Sequence, residues 1–299
     1  MNAECYVCHL RRHTETARRM GGEAAADAVA RELMESYLSA PADAGSPWFG
    51  PKVTELLEKY CGLRGDRFRQ EKLDSNRFVL ERLEAIRERI RSAEDPVYAG
   101  LQAAILGNYI DFSALQGEVS FEKLDQMLDE AHNMALDREN YARFLQDLEH
   151  GKKLLYITDN AGEIGFDRLF AEEIQKRFPH LSITFCVRGG PAANDATRED
   201  AEAVGIPFPV IDNGTCIAGT ELSLLGQEAK QVMEDADVIL SKGQGNVESL
   251  LGCGYNIYYA FLVKCSRFMQ LFDKPKLTPM FIPEQKWFYV NSWGKAKIE

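Results

Sequence analysis

Near residue 150 the spacing of apolar residues changes period, and this change constrains the fold more than any other feature of the chain. Before it, "AADAVARELMESYLS", "GPKVTELLEKYC", "DSNRFVLERLEAIRERIRSA" and "FEKLDQMLDEAHNMALDRENYARFLQDLEHG" repeat apolar residues every three or four positions, the signature of amphipathic helices. Asp74 or Ser75 is placed to cap the third of these. "SAPADAGSPWFGP" is a connection, and the less polar "VYAGLQAAILGNYIDF" belongs in a core. After residue 150, the short apolar runs "KLLYIT", "SITFCV", "PFPVID", "DVILS" and "IYYAFLV" alternate with amphipathic stretches such as "FDRLFAEEIQKRF" and "TELSLLGQEAKQVMEDA". Strands alternating with helices form βαβ units, which require a mainly parallel sheet covered on both faces. The predicted class is α/β, with a helical N-terminal domain over 1–150 and an α/β domain over 151–299. "KWFYV" is a candidate for one further strand. Strand order is not readable from the pattern.

Composition excludes some functions. A net charge of -11 argues against a nucleic-acid partner, because neutralising many phosphates needs a basic face. No run of about twenty apolar residues predicts a membrane-spanning helix. "MNAECYVCHLRRHTETARR" has no apolar segment of the kind a secretory signal needs, so a cytoplasmic location is expected. Cys61, Cys186, Cys216, Cys253 and Cys265 stand apart from one another and are expected to be reduced, buried thiols. Cys5 and Cys8 satisfy the haem-attachment pattern Cys-x-x-Cys-His, but no export signal accompanies it. With His9 or His13 they make half a structural zinc site at most, and a thiol pair closing the helical bundle is the expectation. His132, His150 and His180 are expected in solvent.

In an open α/β sheet, ligands bind outside the carboxyl ends of the strands. The residues that follow the first four runs are polar and small. They are Asp159 and Asn160; then Arg188, Gly189, Gly190, Asn194 and Asp195; then Asp212, Asn213 and Gly214; then Lys242, Gly243 and Gly245. All of these loops open onto one edge. Asp159, Asn160 and Asp195 are oxygen donors of the kind magnesium or manganese prefers, and such ions commonly take a substrate phosphate as a further ligand. Gly162 and the helix start after it can offer backbone amides to a phosphate. Lys242 adds a positive charge on a glycine-flanked loop. Each motif alone also reads as ordinary turn and cap chemistry. Their convergence points to a metal-dependent phosphoryl-transfer or phosphate-hydrolysis site.

"DNAGEIGFD", "VRGGPAANDAT", "IDNGTCIAGT" and "SKGQGNVE", with "CYVC" and "GNYIDF" before them, resemble the domain of unknown function 89 family, in its prokaryotic-type branch of metal-dependent damage-control phosphatases. The resemblance spans nearly the whole chain. It implies a Rossmann-like α/β/α sandwich preceded by a helical N-terminal part. It further implies a divalent manganese, cobalt, nickel or magnesium ion and hydrolysis of sugar phosphates, phosphopantetheine derivatives or nucleotides. Carried onto matching positions, it makes Asp159, Asn160 and Asp195 the metal ligands, Lys242 the phosphate-holding residue and Glu163 part of the substrate pocket. Asn108 and Asp111 would line the cleft from the helical side, with Arg188 a further phosphate contact. Two alanines before Asn194 depart from the bulkier residues expected there and imply a wider pocket. The expected mechanism is in-line attack by water positioned or deprotonated by Asp159 or Asp195. A covalent route through Asp159 is disfavoured, because Ala161 stands where a second acid would be needed. Two other functions fit less well: an S-adenosylmethionine-dependent carboxyl methyltransferase, and a phosphometabolite-binding protein without catalysis.

Overall fold

A computed structural model describes residues 1–41, 44–111, 119–288 and 297–298. The first helix, α1 (Ala3–Ser39), starts where the Asn2 side chain accepts the Cys5 N–H at 2.9 Å, and it kinks at Gly22. It packs on α2 (Gly50–Cys61) through a small core of its own, with Ala17, Ala26, Val29 and Leu33 against Val53, Leu56 and Leu57. The next helices are α3 (Arg69–Ser92), α4 (Pro96–Gly107), α5 (Phe121–Asp129) and α6 (Arg138–His150). Each of α4, α5 and α6 begins at a side-chain cap, respectively Asp95, Ser120 and Asp137.

The main sheet contains β1 (Lys153–Ile157), β2 (Ser182–Val187), β3 (Val210–Asp212), β4 (Val238–Lys242), β5 (Ile257–Leu262) and β6 (Pro279–Pro283), in the order β3-β2-β1-β4-β5-β6. The first five strands run parallel, and β6 is antiparallel to β5. The α/β class and the Rossmann-like sheet are those read from the sequence. β6 was not read as a strand, because "PMFIP" is bracketed by prolines, which cannot donate to a central ladder. Its place at the sheet edge is the one that tolerates them. Trp287–Phe288, within "KWFYV", is a strand, but it pairs with Lys297–Ile298 in a separate ladder; Tyr289 and Val290 lie outside the described residues.

Both faces of the sheet are covered. On one, α3, α4, α6 and α7 (Glu163–Arg177) share a single core with the strands, including Phe78, Leu101, Phe144, Phe170, Tyr156, Leu240 and Tyr258. That core crosses residue 150. Here α4 approaches α7 so closely that a Cβ on Gly107 would meet the Phe166 ring at 2.6 Å. On the other face, α9 (Gln227–Asp235), α10 (Gln244–Leu250) and α11 (Ser266–Phe272) cover Leu155, Ile239, Tyr259 and Phe261. A short α8 (Arg198–Ala203) follows the loop after β2. Among the described residues no helix is long and apolar enough to cross a membrane. Strand order reverses direction at β1, which places the ligand crevice of a doubly wound sheet between the ends of β1 and β4.

Candidate active site

The loops after β1 and β2 are bonded to each other. Asn160 and Asp195 form an isolated antiparallel bridge, Ala196 N–H donates to the Asp159 carbonyl at 2.7 Å, and Ala161 N–H donates to the Asn194 carbonyl at 2.9 Å. The Asn194 side-chain amide donates to Asn160 Oδ1 at 2.8 Å and to the Ile110 carbonyl at 3.2 Å. This stitching sets Asp159, Asn160 and Asp195 side by side. The loop after β4 closes on them, with Gly243 (φ 79°) lying against the Asp159 carboxylate.

A layer of buried partners fixes these groups. Asp159 Oδ2 accepts from Asn108 Nδ2 at 2.9 Å and Asn160 Nδ2 at 2.8 Å. Asn108 also donates to both oxygens of Glu163, at 3.1 and 3.0 Å. Asp195 Oδ2 accepts from Arg188 Nε at 2.7 Å, and the rest of that guanidinium donates to Thr220 Oγ1 and Asn246 Oδ1. Lys242 Nζ donates to Glu163 Oε1 at 2.6 Å, Asp167 Oδ1 at 2.8 Å and the Ala104 carbonyl at 2.8 Å. Tyr156 donates its hydroxyl to the same Asp167 oxygen.

Negative charge is concentrated here. Burial, then the neighbouring Asp195 and Glu163, raises the Asp159 pKa well above the carboxylate range. Burial also lifts Asp195 to about 6 despite Arg188. Asp167 is raised to about 7 by burial, with Lys242 opposing the shift. Burial works against the Lys242 ammonium, but Asp167 and Glu163 outweigh it and leave its pKa above the ordinary value.

Asp159, Asn160, Asp195 and Asp111 line part of a cavity of about 250 Å³. Asp111 is held there by Lys264 Nζ at 2.7 Å. Gly245 also lines the cavity, whereas Lys242, Arg188, Gly162, Glu163, Asn108, Asn194 and Gly243 do not. Lys242 was read as the phosphate holder, yet its three hydrogens go to Glu163, Asp167 and Ala104, and it has no exposed surface. Arg188, read as a phosphate contact, spends its donors on Asp195, Thr220 and Asn246. The Gly162 amide donates to Asn76 Oδ1 at 2.7 Å and so is not directed at the cavity. Glu163, Asn108, Asn194 and Gly243 support the lining from behind it.

A second part of the lining was missed as a site. It is built from Cys5, Cys8, His9, Arg12 and His13 of α1 with Arg67 before α3. The signal was available in the sequence: positions 5, 8, 9, 12 and 13 share one helical face, and that face is polar. Cys5 and Cys8 therefore face a cavity rather than closing a bundle. Of the cysteines expected to be buried, Cys186 is, Cys61, Cys253 and Cys265 are partly covered, and Cys216 is exposed. Among the described residues no three His, Cys, Asp or Glu side chains gather as a metal-ligand set. The candidate set at the sheet edge is two carboxylates and one amide, oxygen donors that fit a hard divalent ion able to keep several waters.

Comparison with known proteins decides the family. A damage-control phosphatase ARMT1-like domain matches residues 1–277. The chain belongs to that family. A protein of Methanocaldococcus jannaschii whose own function is uncharacterised is 33% identical over 274 residues, 88% of each chain. A damage-control phosphatase of Pyrococcus horikoshii is 30% identical over 285 residues, covering 91% of this chain and 94% of that one. Another, from Archaeoglobus fulgidus, is 30% identical over 221 residues, 73% of this chain and 74% of its own. The crystal structure of a domain of unknown function 89 protein from Pyrococcus horikoshii superposes with a TM-score of 0.80 at 27% identity, covering 95% of this chain and 99% of that one. The family assigned by the loop motifs is thus the one shown across the chain.

Proposed function

We propose that this chain is a divalent-cation-dependent phosphatase that hydrolyses small phosphorylated metabolites by direct attack of water. One observation carries the reading: the Asn160–Asp195 bridge sets two buried carboxylates, Asp159 and Asp195, in the lining of a cavity of metabolite size. Relatives named as damage-control phosphatases support it, and none of the similarities favours methyl transfer. The cavity, about 250 Å³, lies below the roughly 300–1,000 Å³ of typical ligand pockets, which favours a phosphosugar-sized molecule over a nucleotide or phosphopantetheine derivative.

Asp159, Asn160 and Asp195 would hold the cation, whether manganese, cobalt, nickel or magnesium. A bound ion supplies charge neutralisation on the phosphoryl oxygens and activation of water. The chain's own residues do the positioning. Asn108 orients Asp159 through Oδ2, and Arg188 orients Asp195 through Oδ2. That leaves Asp195 Oδ1 to align the attacking water and receive its proton. Lys242 acts through Glu163, which it holds against Asn108 and the Asn160 amides. Ala161 is buried and offers no acid for a covalent route.

The test is phosphate release by metal-stripped protein resupplied with each of the four ions, across sugar phosphates, phosphopantetheine and nucleotides. Release that appears with metal and disappears with chelator is expected. Binding of phosphorylated ligands without release under any ion would instead make the chain a phosphometabolite-binding protein.

A further inference from the structure

The cavity lining holds two chemically different groups. Asp159 and Asp195 form one; Arg12 of α1 and Arg67 on the segment between α2 and α3 form the other, and the carboxylate whose charge acts on Arg12 is Asp111. The imidazoles of His9 and His13 lie beside Arg12, both buried, with ring centroids 4.3 Å apart, and His9 Nδ1 pairs with the Tyr37 hydroxyl at 2.7 Å. Carboxylates near the two arginines are also held by lysines: Asp111 by Lys264 at 2.7 Å, and Asp66 by Lys72 at 3.5 Å. Glu4 and Glu248 line the cavity too, and Glu248 faces Arg267 at 4.0 Å. Positive potential is felt at this wall: burial and then Arg12 lower the Arg67 pKa, and burial, then His9, Arg12 and Arg67, hold His13 well below its usual value. The imidazoles are therefore neutral near pH 7 and the arginines carry the charge.

A metal-bearing site has no need of two further guanidinium groups in the same lining in order to bind one phosphate. We propose that Arg12 and Arg67 bind a second anionic group of the ligand, so that preferred substrates carry a carboxylate or second phosphate besides the phosphate held at the acidic group. Guanidinium groups suit this role because they pair with carboxylate and phosphate oxygens through two parallel hydrogen bonds. The inference rests on the phosphatase reading for the orientation of the ligand, and deepens it by naming a substrate class.

Its test avoids turnover. Phosphonates, whose C–P bond is not hydrolysed, are compared in matched pairs differing only at the far end: 3-phosphonopropanoate with 3-hydroxypropylphosphonate, and 6-phosphonohexanoate with 6-hydroxyhexylphosphonate. Calorimetry in the presence of manganese should show at least one carboxylate binding about tenfold more tightly than its hydroxyl partner. Arg12→Gln and Arg67→Gln should each bring that ratio to within about twofold while leaving the hydroxyl ligand's affinity unchanged. Thermal melting identifies folded variants, and Arg67, outside any helix, carries the test if the α1 variant does not fold. The inference is overturned if the wild type shows no preference or binds no phosphonate. It is also overturned if both variants lose both ligands equally, which would make the arginines phosphate ligands or structural. A carboxylate preference in a protein that releases no phosphate from any substrate would sustain this wall's role and sink the hydrolytic reading alone.

Discussion

Gly243 and Asp159 touch in a way that permits no side chain between them: a Cβ on Gly243 would lie 2.0 Å from Asp159 Oδ2 and 2.1 Å from its Cγ. The backbone after β4 thereby forms one wall for the carboxylate that ends β1, at the point where strand order reverses. Gly243→Ala combines this overlap with a left-handed φ, and should cost roughly 2–4 kcal/mol of stability. Urea unfolding checks the stability and manganese calorimetry the ion. We expect the displaced carboxylate to weaken ion binding as well; an unchanged affinity would detach Gly243 from the site.

Asp159→Asn should separate function from stability. It removes one of two neighbouring buried carboxylates while keeping an oxygen that can accept from Asn108. In chelator the variant should melt higher than the wild type, by the equivalent of about 1–2 kcal/mol, since active-site charge is commonly held at a cost to stability. The rise in melting temperature that manganese gives the wild type should vanish in the variant. A variant that melts lower in chelator would mean that Asp159 holds the fold together.

Lys242 should behave as a structural cation. Replacing it with Met leaves Glu163 and Asp167 buried without their counter-charge, and should destabilise the protein by about 3–5 kcal/mol. Adding Glu163→Gln and Asp167→Asn should restore part of this in chemical denaturation, because the charges are coupled. If Lys242→Met is instead fully stable and loses only affinity for phosphorylated ligands, the lysine reaches the ligand in solution.

The contribution of His9 to stability should rise with pH between about 4 and 6.5, against the opposite trend of Asp195 and Asp167, whose raised values favour the folded chain at lower pH. The His9 pKa is depressed to about 4 by burial and then by Arg12, so in that interval the unfolded chain binds a proton that the folded chain does not. The stabilisation is complete above the unfolded value and is lost as pH falls through the folded one. Its size for His9 is about 3 kcal/mol, and His13 acts in the same direction. His9→Gln should make the slope of unfolding free energy against pH less positive in this interval than in the wild type, and an unaltered slope would show that His9 does not titrate differently on folding.

The helical and α/β patterns, and four of the loops, were legible because apolar period and turn chemistry are local properties. Asp159, Asn160 and Asp195 could be picked out because each ends a recognisable run. What Lys242 does was not legible: its partners lie 79 and 75 positions away at Glu163 and Asp167, and no spacing rule reports a contact across the fold. Gly162 misled for the same reason, since the Asn76 side chain that takes its amide comes from α3, 86 positions earlier. β6 was hidden by its prolines, and the α1 face by taking Cys5 and Cys8 as a pair that closes the helical bundle.

The small separate core of α1 and α2 has a thermodynamic consequence. His9, Arg12 and His13 ride on a helix whose apolar packing is built largely from α2, whereas Asp159 and Asp195 hang from the sheet. The two parts of the cavity lining thus belong to cooperative units of unequal size, and the smaller has fewer buried groups to resist opening. Amide protons of α1 and α2 should exchange ahead of those in β1 and β4, so that the cavity comes apart by release of one part while the acidic group stays formed.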